Sequence, residues 1–373
     1  MKKNIVLVTW LGGGNYGTSL QSFALHKKIE GLGYHVSFLL EFPKKFTLKN
    51  KIKFVLGILG VNKKLKNKIL PKRQTPKQQK LSKFISTNYN LCKSINSKRQ
   101  LSKLIKNTDV FVTGSDQIWN TSYNFNPFYF LDFVDNAKRI AYASSIGLQD
   151  FPNQHKPEVK KLLSKFKHIG LREETGVYAI SKLLCRTDVV QVVDPTFLLD
   201  AKDWKNISQN SHIEIELPEK YIFCYLIGKN KWYEDQLKKV SQLTDIKNII
   251  IVPATENINF TIGGATIYNS AGPLEFVKLI ERSSFVCTDS FHATAIALNL
   301  NKDFVEFIRF KNTDSSSQNS RIYDILSHYQ LMNRIYSDVS NEWTLPINYS
   351  TVNDILEKDR KASLDYLKNA IEN

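Results

Sequence analysis

Three short segments bring together residue types that hold anions, move protons or line a sugar. The first, Thr288-Asp289-Ser290-Phe291-His292-Ala293-Thr294, follows one apolar run and opens a helical one. Free N–H groups and the positive dipole end make a helix start an anion site before any side chain is counted. His292, in the first turn, can bind or protonate such an anion. Ser290, Thr294 and, past the next apolar run, the cations Arg309 and Lys311 keep it company. A histidine with a purely structural role is the plainer alternative. The second segment, Thr113-Gly114-Ser115-Asp116-Gln117-Ile118-Trp119-Asn120, follows the apolar run Val110–Val112. A carboxylate, an amide and an indole this close offer the hydrogen bonds and ring face that sugar hydroxyls and C–H edges use. A capping Asp116 and a core Trp119 fit the same pattern.

The third segment, Gly12-Gly13-Gly14-Asn15-Tyr16-Gly17, contains Gly-x-Gly-x-x-Gly before a helix, with Glu41 close to the end of a second apolar run. Glycines there would let backbone approach a diphosphate while the acid takes a ribose hydroxyl. The motif is short, and Tyr16 is bulky for such a turn. An acceptor-binding or domain-facing loop, with Asn15, Tyr16 and Gln21 toward a cleft, and a structural turn are the other two readings.

These segments need strand ends and helix starts to hold them. Apolar runs at Ile5–Trp10, Val36–Leu40, Val110–Thr113, Arg139–Ala143 and Val189–Val193 read as buried strands. Helix-like stretches such as Thr18–Glu30 and Lys98–Lys106 lie between them, so a parallel sheet with crossover helices is expected. A second series begins after Asp194-Pro195: strands at Tyr221–Ile227, Asn248–Val252, Phe285–Thr288 and Phe304–Phe307, with helices near Trp232–Leu243, Pro273–Arg282 and Phe291–Leu298. Two doubly wound units in tandem follow. The polar stretch in Asp200–Pro218 sets the boundary, giving lobes at 1–205 and 206–345 and an amphipathic terminal helix within 346–373.

The 373 residues suit two domains, and 42% hydrophobic with 23% charged residues is ordinary globular composition. Ile5–Val8 behind Lys2-Lys3 is too short for a secretory signal and runs into glycines. The four cysteines, Cys92, Cys185, Cys224 and Cys287, are scattered, which points away from a metal knuckle or disulfide framework and toward a reducing cytosol. The net charge of +17 is local: residues 42–108 hold 19 of the 52 basic side chains and no acid, leaving 33 basic against 35 acidic elsewhere. Within this insertion, Phe54–Val61 lies between Lys51, Lys53 and Lys63, Lys64, Lys66, Lys68, a pattern suited to an anionic lipid surface or to a solvated Lys-rich insertion. Nucleic acid is disfavoured, because the segment is nearly all lysine with few interleaved aromatics.

Six blocks in order resemble the polysaccharide pyruvyl transferase family. They are Gly14-Asn15-Tyr16-Gly17 with Leu20–Leu25, Gly114–Asn120, Arg172-Glu173-Glu174-Thr175-Gly176, Val193-Asp194-Pro195-Thr196, Gly272-Pro273-Leu274-Glu275-Phe276 and Thr288–Ala293. The resemblance implies two Rossmann-like lobes in a GT-B-like arrangement with a cleft between them. It also implies phosphoenolpyruvate as donor, held by the second lobe through Arg172, Ser290, Phe291, His292, Arg309 and Lys311. A carbohydrate acceptor, free or lipid-linked, would sit mainly on the first lobe at Asn15, Tyr16, Gln21, Asp116, Gln117 and Trp119. His292 is then the candidate acid, Asp116 the candidate base or acceptor anchor, and neither metal nor redox cofactor is required. Other branches of the family have an arginine two residues before the histidine where this chain has Ser290, which leaves Arg172, Arg309 or Lys311 to hold phosphate. The setting implied is cytoplasmic, peripheral to the inner membrane face. The competing readings are a GT-B glycosyltransferase using a sugar nucleotide, a nicotinamide oxidoreductase on the glycine loop, and a non-catalytic glycan- or lipid-binding protein, the last favoured only if His292 and Arg172 lie apart and outside any cleft.

Overall fold

The computed structural model describes residues 2–12, 14–42, 74–122, 125–254, 263–311 and 317–373. Residues 43–73 of the Lys-rich insertion, with Phe54–Val61 and Lys63, Lys64, Lys66 and Lys68, lie outside them, as does Gly13.

Short, mostly apolar and buried runs form two all-parallel sheets. The first contains β1 (Asn4–Val8), β2 (His35–Phe38), β3 (Val110–Thr113), β4 (Arg139–Ser144), β5 (His168–Leu171) and β6 (Val189–Gln191), in the order β2-β1-β3-β4-β5-β6. The second contains β7 (Ile222–Tyr225), β8 (Ile249–Ile251), β9 (Thr266–Ile267), β10 (Phe285–Thr288) and β11 (Phe304–Glu306), in the order β11-β10-β7-β8-β9. All residues of β3, β4, β7 and β10 are buried, the signature of strands covered by helices on both sides.

Strand order reverses between β1 and β3 in the first sheet and between β7 and β10 in the second. In open parallel sheets the crevice at such a switch point, outside the strand carboxyl ends, is where ligands bind. The glycine loop follows β1 and the Asp116 segment follows β3, while the His292 segment follows β10. Both lobes therefore place their chemistry-bearing segments at a switch point.

The helices are α1 (Tyr16–Gly31), α2 (Pro76–Asn88), α3 (Lys98–Lys106), α4 (Lys156–Leu163), α5 (Glu174–Leu184), α6 (Ala201–Ser208), α7 (Tyr233–Thr244), α8 (Pro273–Arg282), α9 (Phe291–Asn299), α10 (Ser320–His328) and α11 (Tyr349–Glu372). α3, α8 and β10 occupy the expected residues, and most other anticipated elements shift only at their ends. β5 and α10 had no clear sequence signal: in β5, Ile169 and Leu171 alternate with His168 and Gly170, leaving no apolar run.

The lobes are joined by more than one crossing. Tyr16 of α1 is fully buried, stacks on Phe276 of α8 at 4.7 Å and donates its hydroxyl to Ala271 O (2.9 Å). Lys77 of α2 donates its Nζ to Pro253 O and Ala254 O (2.9 and 3.0 Å) in the second lobe. α11 returns to the first sheet, where the Tyr366 hydroxyl donates to Ala141 O (2.9 Å). Among the described residues no helix is long and apolar enough to cross a membrane.

Candidate active site

α9 starts where β10 ends, because Ser290 caps it through an Oγ that accepts from Ala293 N (3.5 Å). His292 thus projects from the first turn. α1 starts likewise, with Asn15 Oδ1 accepting from Gly17 N (2.9 Å). The two helix starts meet. A Cβ on Gly17 would lie 2.3 Å from both Cγ and Nδ1 of His292 and 2.5 Å from its Cβ. The third glycine of the loop therefore serves close approach between the lobes. This counts against the dinucleotide reading: the His292 ring packs on the last glycine of the loop, and Glu41 accepts from Asn126 Nδ2 (2.8 Å).

Behind His292 lies a buried charge network. Asp194 Oδ2 sits 3.0 Å from Arg172 Nη1 and 3.6 Å from His292 Nε2, and accepts from Ser115 Oγ (3.3 Å). Its Oδ1 accepts from the backbone N (3.0 Å) and Oγ1 (2.7 Å) of Thr196. Burial by itself would raise the Asp194 carboxyl, but His292, Arg172 and the Thr196 N–H hold it well below the usual carboxylate range. Arg172 also binds Glu173 Oε1 through Nε (2.7 Å), and its guanidinium lies over the Phe291 ring at 4.2 Å. Arg172 and His292 are thus tied through one carboxylate, the opposite of the separation that a non-catalytic binder required.

In front of His292 a cleft of about 410 Å³ opens between the lobes. Asn15, Thr18, Asp116 and Gln117 line it from the first lobe, and Ser290, Phe291, His292, Arg309, Gln318 and Arg321 from the second. Asp116, at φ 73°, accepts from Thr18 Oγ1 at Oδ2 (2.8 Å) and from Gln117 N at Oδ1 (2.8 Å). The turn leading to it needs Gly114, whose φ is +120° and whose Cβ would lie 2.0 Å from Tyr142 O. Asp289 is structural: its carboxylate accepts from Ile227 N (2.6 Å), Gly228 N (2.7 Å) and the Tyr233 hydroxyl (2.6 Å), fixing the loop after β7. Such an arrangement can hold an anion on the second lobe and present a carboxylate from the first.

Of the residues singled out in sequence, Asn15, Asp116, Gln117, Ser290, Phe291, His292 and Arg309 line this cleft, and Arg172 lies behind Phe291. Three expected acceptor contacts are corrected. Trp119 is fully buried, stacked on Phe130 at 5.3 Å with Nε1 donating to Tyr129 O (2.9 Å), so no ring face is open to a sugar. Gln21 is fully buried with its amide donating to Thr18 O (3.0 Å). Tyr16 faces the lobe seam and not the cleft. Thr294 turns its hydroxyl to Ser290 O and Glu306, and Lys311 is exposed and does not line the cleft. Sequence reasoning missed Thr18, Asp194, Gln318 and Arg321. The Val193–Thr196 block contained Asp194, but nothing in it announced a carboxylate shared by Arg172 and His292.

Two parallel, helix-covered sheets facing each other across a cleft define a GT-B type α/β fold. Three solved structures are similar to this chain. A UDP-GlcNAc 2-epimerase from Neisseria meningitidis, bound to UDP-GlcNAc, is 12% identical with a TM-score of 0.51, covering 99% of this chain and 100% of that one. A glycosyltransferase from Rickettsia africae is 12% identical with a TM-score of 0.46, covering 99% of each. MurG from Acinetobacter baumannii is 9% identical with a TM-score of 0.41, covering 100% and 99%. A comparison with curated proteins finds no match. The chain belongs to the polysaccharide pyruvyl transferase family, whose model matches residues 15–309, and it is a transferase.

Proposed function

We propose that the protein transfers the pyruvyl group of phosphoenolpyruvate onto two hydroxyls of a sugar, forming a pyruvate ketal and releasing phosphate. The observation that carries this reading is the meeting, in one cleft at two switch points, of a capped helix start with His292 and Arg309 on one wall and Asp116 on the other. The donor's phosphate and carboxylate need cations and free helix N–H groups. His292 delivers a proton to the methylene carbon, which leaves an oxocarbenium-like centre at the neighbouring carbon. A sugar hydroxyl attacks there and gives its proton to a base, for which Asp116 is the candidate. The C–O bond to phosphate then breaks with its electron pair going to phosphate, and a second hydroxyl closes the ring and loses its proton. The balance needs no oxidant or reductant.

We extend the reading to an acceptor presented at the cytoplasmic membrane face, where a lipid-linked sugar would present itself. The support is the charge of residues 42–108, since each Lys near an anionic surface contributes roughly 1 kcal/mol. His292→Ala tests the chemistry. General acid–base groups contribute about 10²–10⁴-fold, so phosphate release should fall by that factor with the fold retained, and near-normal release would make His292 structural. Release of a nucleotide from a sugar nucleotide would instead favour a glycosyltransferase.

A further inference from the structure

The cations around the cleft are not equivalent. Arg172 is compensated by two carboxylates, Glu173 at 2.7 Å and Asp194 at 3.0 Å. Among the described residues Arg309 and Arg321 form no ion pair, and the side-chain hydrogen bonds they donate there go to neutral amides. Gln318 Oε1 accepts from Arg321 Nη2 (2.8 Å) and from Arg309 Nη2 (3.4 Å). The Gln117 oxygen, in the amide orientation its neighbours demand, accepts from Arg321 Nε (3.0 Å) and Nη1 (3.2 Å). Arg309 Nε is buried without a hydrogen-bond partner. Burial and the neighbouring cations Arg172 and Arg309 push Arg321 down to about 10, against the pull of Glu173 and Asp116. Two guanidinium groups that crowd each other and share one amide oxygen are held at a cost that an arriving anion removes.

We infer that Arg309 and Arg321, bridged by Gln318, form the subsite for a phosphomonoester on the same wall of the cleft as the α9 start, while Arg172 positions His292 through Asp194. Two planar guanidinium forks lining one cleft suit the several oxygens of a phosphate dianion. Arg321 lies on α10, past residue 309 where the family match ends, so this part of the site belongs to the chain's own C-terminal segment. The identity of the ligand as phosphoenolpyruvate rests on the function proposed above; the subsite itself does not.

The experiment is calorimetric titration of the full chain with inorganic phosphate, phosphoenolpyruvate and pyruvate, in the wild type and in Arg321→Gln, Arg321→Lys and Arg309→Gln. Losing charge-assisted hydrogen bonds should weaken phosphate and phosphoenolpyruvate by about ten- to a hundredfold in each Gln variant, leave pyruvate unchanged, and be partly rescued in Arg321→Lys. If Arg321→Gln does not fold, Arg309→Gln and Arg321→Lys carry the same comparison. A wild type that binds phosphoenolpyruvate and a folded Arg321→Gln that binds it equally well would overturn the subsite and leave the donor reading standing. A wild type that binds phosphate but not phosphoenolpyruvate would overturn the donor reading, and the subsite would then stand or fall on whether Arg321→Gln loses phosphate. Binding of neither ligand by the wild type would overturn both.

Discussion

Gly17→Ala should damage catalysis without removing any group that meets substrate. The added Cβ would sit 2.3 Å from the His292 ring and 2.5 Å from its Cβ, whereas ordinary contact begins at 3.4 Å. Turning the ring cannot relieve the second contact, so the start of α9 must retreat by roughly 1 Å, or the lobes must part by as much. A misplacement of about 1 Å costs on the order of 10²-fold in rate, equal to roughly 2.7 kcal/mol of barrier. Overpacking also costs about 1–3 kcal/mol of stability, offset in part by the better helix propensity of alanine, worth up to about 1 kcal/mol. The assay is steady-state phosphate release, read beside a denaturant titration of the same preparation. The expected result is a folded variant with kcat down about a hundredfold. A kcat equal to wild type would refute the claim that the two helix starts must meet, and a loss matched by the unfolded fraction would reduce it to a stability effect.

Two further outcomes follow from the charges behind the cleft. Asp194→Asn removes the carboxylate that Arg172 and His292 share, and breaking a buried pair costs about 3–5 kcal/mol; a urea midpoint within error of wild type would contradict the network. Because the Asp194 carboxyl is held well below its ordinary range, its contribution is full above the unfolded value near about 4 and is lost only as pH falls below that. The stability gap between wild type and variant should therefore be flat from mildly acidic to neutral pH and shrink only in strong acid. Asp324 behaves in the opposite sense: burial and then Glu173 push it up to about 6 against a hydrogen bond from Thr175. The unfolded chain loses this proton first, so wild-type stability should fall as pH rises from about 4 to 6. Asp324→Asn should flatten that slope, and an unchanged slope would place its origin elsewhere.

The strands were legible where burial on both faces leaves an unbroken apolar run, as in β3, β7 and β10. β5 was hidden because His168 and Gly170 interrupt it. In the site, Asp116 and His292 could be read from local order alone, since a polar cluster directly after a strand must stand at the crevice. The rings of Tyr16 and Trp119 could not, because short segments do not say which side of the chain a side chain takes. Tyr16 went to the lobe seam, and Trp119 went under Phe130. Asp194 and Arg321 owe their importance to partners distant in sequence, Arg172 and His292 for one and Gln117 for the other, and no local spacing reports such contacts. The dinucleotide motif shows the same limit. Its last glycine is required by a histidine 275 positions further along.

The most direct test is incubation of the protein with phosphoenolpyruvate and a panel of glycosides, measuring phosphate released and the acceptor's gain of a pyruvate ketal by mass. The account predicts acceptor-dependent phosphate release in step with ketal formation, lost in His292→Ala. Phosphate release without ketal, or ketal formation undiminished in a folded His292→Ala variant, would contradict it.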